Sequence, residues 1–428
     1  MKKRDVFLFG AGAVIDWKGP TTNYLTERIR NTGGKTKTGQ YITDKIYQIL
    51  LEECKLKKDE VNFETVISVV EELIVYYTGY SGTDSKLSLA FPFLSPSALL
   101  NDIINIEKKD EKGNQLTNLS SNYRLILEGE DTPEQYFLKG QLTKIISLIM
   151  ADVINYSYYT NSKKVIVENE SNKQLNDAFA NWIKISLSSE RVVRIYTLNY
   201  DRLFKVILEN RGVPLFEGFT NTGAAIEPNA YHRPDLKRLY EHDFSCHYNL
   251  HGSASWHVSS LNKHGMPSHE YYLTNNGPLI TGNGDVATIQ IEKGKNIILT
   301  PIITGYQKTQ KTAITPFKQM QAAFDKDCMF ANHLFIIGYS FGDAHINESI
   351  RNALKENEEL QVTIVDPNFI KGNMYGKLWE DLFSHTSFIP EPMCTDQKER
   401  GLYTCLQGRI RVYTKFFSDF LEGIAPLE

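Results

Sequence analysis

The residues best suited to chemistry lie in the segment Arg191–Leu203, RVVRIYTLNYDRL, where polar side chains follow an apolar run. Val192–Tyr196 is rich in β-branched and aromatic residues and predicts a short strand. Thr197, Asn199 and Asp201 follow it directly. A buried amide and carboxylate are costly unless their hydrogen bonds are satisfied, so this cluster indicates a ligand site. The same pattern is typical of an Asx turn in which Asp201 caps the next helix.

A second candidate is His251, which follows the predicted strand Cys246–Leu250 in the tripeptide His-Gly-Ser. The unperturbed imidazole pKa is about 6.5, so the neutral ring can accept a proton near pH 7. A core histidine bonded to the backbone would fit the same position. Its place at a strand end, together with Asn199, favours the catalytic interpretation. The other histidines near these motifs are interpreted as bystanders: His242, His257 and His345.

A glycine-rich turn, Gly10–Ala13, follows the predicted strand Asp5–Phe9. Glycine directly after a strand lets the backbone approach a phosphate closely, although it serves an ordinary tight turn equally well. Position 15 is Ile, so the full G-x-G-x-x-G pattern is absent and a Rossmann dehydrogenase is the least favoured enzyme class. Asp16 and Trp17 lie in the same loop and are large enough to cover a bound nucleotide, although side chains that face solvent would fit the same positions.

These candidates need a scaffold that brings strand ends together. Further strands are predicted at Ile297–Thr300, at His333–Ile337 and at Val362–Val365, which ends at Asp366. Alternation of such strands with helices favours an α/β fold, a Rossmann-like doubly wound parallel sheet with one ligand crevice. After the second of these strands, Asp343 is interpreted as a cap for the following helix.

Residues 41–189 are predicted to form a large, mostly helical insertion, and residues 1–40 and 190–428 to form the core. Helices are predicted to begin at Asn62 and at Thr132-Pro133, and their apolar stripes are interpreted as packing faces. Between them, Glu107–Tyr123 is polar and turn-rich and is interpreted as a loop.

Composition excludes several classes of function. The chain has 428 residues, 41% hydrophobic and 23% charged, as in globular proteins, and its net charge of −4 provides no broad attraction for nucleic acid. The five cysteines are scattered and form no C-x-x-C pair, so a four-cysteine zinc module is not available and reduced thiols in the cytoplasm are expected. We expect no signal peptide and no membrane span, because the apolar runs are too short.

Four motifs, in this order along the chain, resemble the catalytic core of the Sir2 (sirtuin) family. They are Gly10-Ala11-Gly12, Thr197-Leu198-Asn199-Tyr200-Asp201, Leu250-His251-Gly252 and Gly338-Tyr339-Ser340. The resemblance extends from residue 5 to about residue 370 and is interrupted by the helical region. It is closer to the SIR2-like effectors of bacterial anti-phage defence, which hydrolyse NAD. It therefore implies NAD as a substrate and no metal.

The resemblance also implies roles for individual residues. Asn199 resembles the asparagine that lies by the nicotinamide ribose and orients the attacking group, and His251 resembles the catalytic histidine. Asp201 resembles the aspartate near the nicotinamide carboxamide, and Thr197 belongs to the same motif.

The remaining motifs resemble the nucleotide-binding part of the family. Gly10, Ala11 and Gly12 resemble the loop that accommodates the pyrophosphate. Ser340 resembles the serine that contacts ribose and phosphate in a Gly-Thr-Ser motif, here beginning at Gly338. Asp366 lies where the family contacts the adenine end.

Three departures separate this chain from sirtuin deacylases. Leu198 stands where they have glutamine, their zinc-binding cysteines are absent, and residues 41–190 have no counterpart. The resemblance therefore implies an NAD⁺ hydrolase that forms nicotinamide and ADP-ribose. Two alternatives stay open: an NAD-dependent protein deacylase or ADP-ribosyl transferase, and a non-catalytic module whose binding of NAD or ADP-ribose controls assembly.

Regulation is expected, because an unrestrained NAD hydrolase would harm its own cell. The helical insertion provides surface for a homo-oligomer. No recognisable sensor domain is seen in the chain, so the resemblance implies a separate partner, a HerA-type ATPase or a short Argonaute.

Overall fold

A computed structural model describes most of the chain, with gaps that fall mainly in its helical and hairpin regions. The described residues are 2–36, 38–77, 89–90, 104–107, 116–119, 123–126, 133–157, 170–188, 191–220, 230–261, 267–274, 287–292, 295–305, 307–368, 395–397, 402–405 and 408–424.

The fold is organised around one sheet of eight strands, six of which run parallel. In spatial order the strands are β14 (Thr395–Gln397), β15 (Leu402–Cys405), β16 (Ile410–Tyr413), β13 (Gln361–Val365), β12 (His333–Ile337), β1 (Arg4–Phe9), β5 (Val192–Thr197) and β7 (Cys246–Asn249). At one edge of the sheet, β15 pairs antiparallel with both β14 and β16. Numbered by their place in the chain and read from β7, the parallel strands have the order 3-2-1-4-5-6. This order defines the Rossmann fold and confirms the predicted fold class.

The sheet is doubly wound because its strands carry apolar side chains on both faces. Phe7 and Phe9 of β1 pack on one side against Phe179 and Trp182, whereas Leu8 packs on the other side. The helices that pack on the first side are α5 (Glu170–Ser188), α6 (Leu203–Glu209) and α11 (Phe417–Ile424). Those on the other side are α9 (Phe317–Met329) and α10 (Ala344–Glu356). Two short helices, α7 (Leu236–Leu239) and α8 (Lys308–Lys311), complete this part of the chain.

A separate layer of helices shares its own apolar core. Its members are α1 (Thr22–Arg30), α2 (Ile42–Glu52), α3 (Phe63–Tyr77) and α4 (Pro133–Ser157). The cap that begins α3 is the predicted one, since Asn62 Oδ1 accepts the amide of Glu64 at 2.9 Å. The apolar core of this layer also includes Ile298 and Ile302. The layer therefore packs against the segment of chain that is hydrogen-bonded to the backbone of His251. The division of the chain into a core and an insertion at residues 41–189 stays a prediction.

Two local predictions were wrong. Glu107–Tyr123 was interpreted as a loop, but its described residues belong to an antiparallel sheet of β2 (Ile104–Glu107), β3 (Leu116–Leu119) and β4 (Tyr123–Ile126). Residues 108–115 and 120–122 lie outside the described residues, and for them the loop stays a prediction. Polar residues tolerate such pairing because its backbone hydrogen bonds do not depend on side-chain polarity. Likewise Ile297–Thr300 is not a strand of the main sheet.

That apolar segment belongs instead to β11 (Lys295–Leu299), which pairs antiparallel with β10 (Ala287–Glu292). A further small antiparallel sheet contains β6 (Tyr231–His232), β8 (Trp256–Leu261) and β9 (Pro267–Thr274). Apolar periodicity identifies such strands but does not say which sheet they join. In the described ranges, no helix is both long and apolar enough to cross a membrane.

Candidate active site

A cavity of about 560 Å³ lies at the carboxyl edge of the parallel strands. The ends of β1, β5, β7, β12 and β13 contribute to it, and so does the helical layer through Phe63, Glu64 and Tyr156. This position matches the crevice in which doubly wound sheets bind ligands, at the point where the strand order reverses. A second cavity, of about 710 Å³, lies beside Arg4 near the amino ends of the strands and is lined by none of the predicted site residues.

Most of the predicted site residues meet in the first cavity. Those that line it are Gly10, Ala11, Gly12, Asn199, Asp201, His251, Gly338, Ser340 and Asp366. Two do not, Asp16 and Thr197.

Asn199 is held at the end of β5 by bonds to both its side chain and its backbone. Its side-chain Nδ2 donates to the carbonyl oxygen of Gly10 at 3.0 Å. Its own amide donates to Oγ1 of Thr197 at 3.0 Å, so the fully buried Thr197 supports the site from beneath. The side-chain oxygen of Asn199 is then the atom able to accept a bond from a ligand hydroxyl.

Asn249 at the end of β7 supports the same turn and was missed from the sequence. Its Nδ2 donates to the carbonyl oxygens of Asn199 at 3.0 Å and Asp201 at 2.7 Å. A signal existed, because a buried polar residue at a strand end two positions before His251 needs hydrogen-bond partners. Nothing in the sequence identified those partners.

Asp201 forms an Asx turn directly before α6 and also takes part in the cavity wall. Its Oδ1 accepts the amide of Leu203 at 2.9 Å, which confirms the Asx-turn interpretation. Its Oδ2 accepts the hydroxyl of Tyr156 from α4 at 2.5 Å. Burial raises the pKa of Asp201, although both hydrogen bonds oppose that rise. An Asx turn and a place in the cavity wall are therefore compatible for this carboxylate.

His251 is placed by an unusual backbone turn. Its carbonyl oxygen accepts the amide of Ile303 at 2.7 Å. The following Gly252 has φ +81°, and a Cβ there would lie 2.3 Å from the carbonyl oxygen of Pro301, so only glycine fits. The buried Nε2 of His251 has no hydrogen-bond partner among the residues that the structure describes. An orphaned imidazole nitrogen at a cavity wall is suited to bind a ligand group.

The charge environment keeps the His251 ring neutral. Burial, with the nearby Lys308 ammonium and His345, lowers the pKa of His251 to about 3, against the opposing effect of Asp343. The ring of His345 lies 6.0 Å from that of His251, between centroids.

Asp343 and Lys308 are the most notable residues missed as site residues. Asp343 occupies the N-cap position of α10, yet its side chain makes no cap hydrogen bond, so the predicted capping role is wrong. Its Oδ1 instead lies 2.8 Å from Nζ of Lys308 and 3.9 Å from Nε2 of His251. Burial alone would raise the pKa of Asp343, but electrostatic interaction with His251 and with the Lys308 ammonium outweighs burial and lowers that pKa to about 2.

The glycines after β1 serve close packing between two strand-end loops. The amide of Gly12 donates to the carbonyl oxygen of Gly338 at 2.9 Å. A Cβ on Gly12 would lie 2.7 Å from Cα of Gly338. A Cβ on Gly10 would lie 2.5 Å from the carbonyl oxygen of Gly338. Contact between these loops thus requires glycine, whether or not a phosphate binds beside them.

Asp16 and Trp17 face away from the cavity. The Asp16 carboxylate accepts the amide of Ser418 at 2.9 Å and so caps α11. Trp17 is only 2% exposed and donates from Nε1 to Asn176 Oδ1 at 2.7 Å. The structure therefore does not support the interpretation that these two side chains cover a nucleotide. Their loop winds into a 3-10 helix, Ala11–Trp17, that turns them toward the helices of one face.

The last two predicted binding residues follow β12 and β13. Ser340 is exposed within the cavity rim, next to Phe341, which has φ +57°. Asp366 is buried, its Oδ1 accepts the amide of Asn368 at 2.7 Å, and burial raises the pKa of its carboxyl. The rim therefore presents a hydroxyl and a carboxylate on neighbouring strand ends.

The strand order and the cavity define a Rossmann-type fold with a crevice at the switch point of the sheet. Residues 193–385 match the family model of the SIR2-like domain. This match indicates NAD-related activity. No curated protein matches the chain.

Two solved structures are similar at low sequence identity. One is a mutant of a Sir2 homologue in complex with ADP-ribose; the identity is 11%, the TM-score is 0.33, and 89% of this chain and 91% of that chain are covered. The other is described as "Structural Basis for the Mechanism and Regulation of Sir2 Enzymes"; the identity is 13%, the TM-score is 0.22, and the covered shares are 48% and 69%.

Proposed function

We propose that this protein is an NAD⁺ hydrolase that cleaves NAD to nicotinamide and ADP-ribose. The observation that carries the proposal is the convergence of Asn199 and His251 on one cavity at the switch point of a SIR2-like fold. The two residues follow neighbouring strands, β5 and β7, which pair in parallel with Thr197 opposite Asn249. A single bound ribose could therefore meet an amide oxygen and an imidazole together.

The proposed reaction needs orientation and a proton acceptor. Water oxygen bonds to C1′ of the nicotinamide ribose while the bond from C1′ to the nicotinamide nitrogen breaks. The bonding pair leaves with nicotinamide, whose ring thereby loses its positive charge, and the proton of water passes through His251 to solvent. Positive charge develops on the ribose during bond breaking, as in other glycosidic cleavages.

Asn199 and His251 have separate tasks in this scheme. The amide oxygen of Asn199, held by the bond from Nδ2 to Gly10, orients the ribose hydroxyls or the attacking water. His251 is neutral at pH 7 and its Nε2 is free to accept a proton. Burial of both side chains limits the access of bulk water.

We propose further that hydrolysis serves anti-phage defence and is gated by assembly or by a partner. The support is the resemblance to SIR2-like effectors, together with the physical need to restrain an enzyme that consumes NAD. A HerA-type ATPase is the preferred partner, and a short Argonaute is the alternative. The helical layer contributes part of the cavity wall, so a partner that binds it could alter the site.

The test is incubation of the purified full chain with NAD, alone and with candidate partners, followed by mass spectrometry. We expect nicotinamide and ADP-ribose in equal amounts, and loss of both with Asn199→Ala or His251→Ala. Matched controls are Asn31→Ala and His257→Ala, which lie outside the cavity. Dependence on an acylated peptide or a protein acceptor would favour a deacylase or transferase. Tight binding without turnover under every condition would favour a sensing module.

A further inference from the structure

A row of charged side chains joins the helical layer to His251. Glu64 of α3 lies 3.2 Å from Nζ of Lys308, and Lys308 lies 2.8 Å from Oδ1 of Asp343. The other oxygen of Glu64 accepts the hydroxyl of Tyr200 at 3.3 Å. All of them line the cavity, although no sequence motif joins them.

Lys308 and His251 face the same oxygen of Asp343. Lys308 Nζ is within hydrogen-bond distance of Oδ1, whereas Nε2 of His251 lies 3.9 Å away and makes no bond. The imidazole nitrogen thus stays buried and without a partner in the described structure while the nearest carboxylate is engaged by a lysine. A shift of about 1 Å would convert this approach into a hydrogen bond.

Lys308 is stably charged in this position. Burial would lower the pKa of Lys308, but Glu64 and Asp343 outweigh that effect and raise it. A fixed ammonium beside a neutral imidazole disfavours protonation of the ring, whereas a carboxylate favours it. The two groups therefore act on His251 in opposite directions.

We propose that Asp343 and Lys308 together set the protonation of His251. The Asp343 carboxylate stabilises the protonated imidazole when the two groups come within hydrogen-bond distance, and the Lys308 ammonium, anchored by Glu64, withholds that carboxylate in the resting site. Lys308 thereby keeps the resting imidazole a poor proton acceptor. Because Glu64 belongs to α3, a displacement of the helical layer would change how firmly Lys308 is held against Asp343. The consequence for catalysis rests on the proposed NAD hydrolysis, but the effect on the imidazole itself does not.

The other titratable groups around the cavity do not favour protonation of His251. His345 faces the ring from α10 and further disfavours its protonation. Across the cavity, the carboxylate of Asp201 is bonded to Tyr156, and that of Asp366 is bonded to the backbone of its own loop. Asp343 is therefore the carboxylate that favours protonation of His251.

The test is an NMR titration of the full-length, ligand-free protein labelled at its histidines, with His251 assigned from the signal lost in His251→Gln. In the wild type the ring should stay neutral down to about pH 4, since its pKa is about 3. Lys308→Met should raise that pKa by roughly one unit or more, and Lys308→Met with Asp343→Asn should abolish the rise. Lys318→Met, an exposed lysine on α9, is the matched control and should change nothing.

The outcomes separate this proposal from the hydrolase proposal, because no NAD is present in the titration. A Lys308→Met protein whose His251 stays neutral at pH 4, or a double variant that keeps the raised pKa, would overturn the inference. Lys308→Gln is the second variant if Lys308→Met does not fold. If both variants unfold, the role of Lys308 is to stabilise the fold, and this result would also overturn the inference.

Discussion

The side chain of Asn249 is hydrogen-bonded to the backbone carbonyl oxygen of Asn199 at 3.0 Å, so one asparagine holds the turn that presents the other. A second bond, to the carbonyl oxygen of Asp201 at 2.7 Å, closes the same turn. The backbone between β5 and α6 is thereby positioned from the neighbouring strand. The candidate site thus depends on a contact between residues 50 positions apart in the chain.

Replacing Asn249 should impair turnover without abolishing folding. Asn249→Ala leaves two buried carbonyl oxygens without a donor, so we expect the free energy of unfolding to fall by roughly 1–3 kcal/mol. Turnover of NAD should fall at least about tenfold, because Asn199 is no longer held in place. Thermal unfolding and nicotinamide release measure the two effects. Equal turnover by the folded variant would show that the turn is held by other contacts.

Gly338 should be intolerant of even a methyl group. It has φ +59°, and a Cβ there would lie 2.2 Å from the amide nitrogen of Ala13. Gly338→Ala should therefore destabilise the fold by more than the roughly 1–2 kcal/mol of a left-handed backbone alone. Gly39→Ala is the matched control, since Gly39 has φ +86° and nothing within 4 Å of an added Cβ. Chemical denaturation should give a clearly larger loss for Gly338→Ala, and equal losses would contradict the account.

The bond between Tyr156 and Asp201 should make stability depend on pH. The pKa of Asp201 is raised in the folded state, so Asp201 favours folding when protonated and costs stability as pH rises through that raised pKa. The Tyr156 hydroxyl opposes the rise. Tyr156→Phe should therefore destabilise the protein more at pH 7 than at pH 4, measured by denaturation at both values. A pH-independent loss would mean that the variant acts through packing alone.

Asp366 should favour NAD over NADP. If the adenine ribose lies at the end of β13, as the resemblance implies, a buried carboxylate there would repel a 2′-phosphate. We expect a higher kcat/KM for NAD in the wild type and a smaller ratio for Asp366→Ser, measured with both nucleotides. Asp325→Ser, an exposed position on α9, should keep the wild-type ratio. An unchanged ratio in Asp366→Ser would place the adenine ribose elsewhere.

The pH dependence of turnover should follow the pKa of His251, which Lys308 lowers and Asp343 raises. A base must be neutral to accept a proton, so raising its pKa moves the acid limb of the kcat profile to higher pH. Lys308→Met should shift that limb upward relative to the wild type, and Lys318→Met should not. A downward shift would have the wrong sign for the proposed role of Lys308.

Local patterns predicted the scaffold well. Apolar runs identified five of the six parallel strands, β1, β5, β7, β12 and β13, and the polar residues after them meet in one cavity. The final strand, β16, was missed, because Ile410–Tyr413 is short and its apolar residues are interrupted by a charged one. Alternation with helices was sufficient to predict the doubly wound topology.

The charged part of the site was beyond prediction from the sequence. Glu64 and Lys308 are 244 positions apart, and neither lies in a recognisable motif. Asp343 was interpreted as a cap because an Asp before a helix is usually one. Asp16 was wrongly placed by the same kind of local reasoning, since its partner Ser418 is 402 positions away. Long-range ion pairs leave no periodic signal.

The most direct test of the account is a crystal structure of the protein with ADP-ribose. We predict that the side-chain oxygen of Asn199 and Nε2 of His251 both lie within about 3.5 Å of the ribose that would carry nicotinamide. A complex in which that ribose contacts only one of them, or binds outside the cavity, would contradict the central claim.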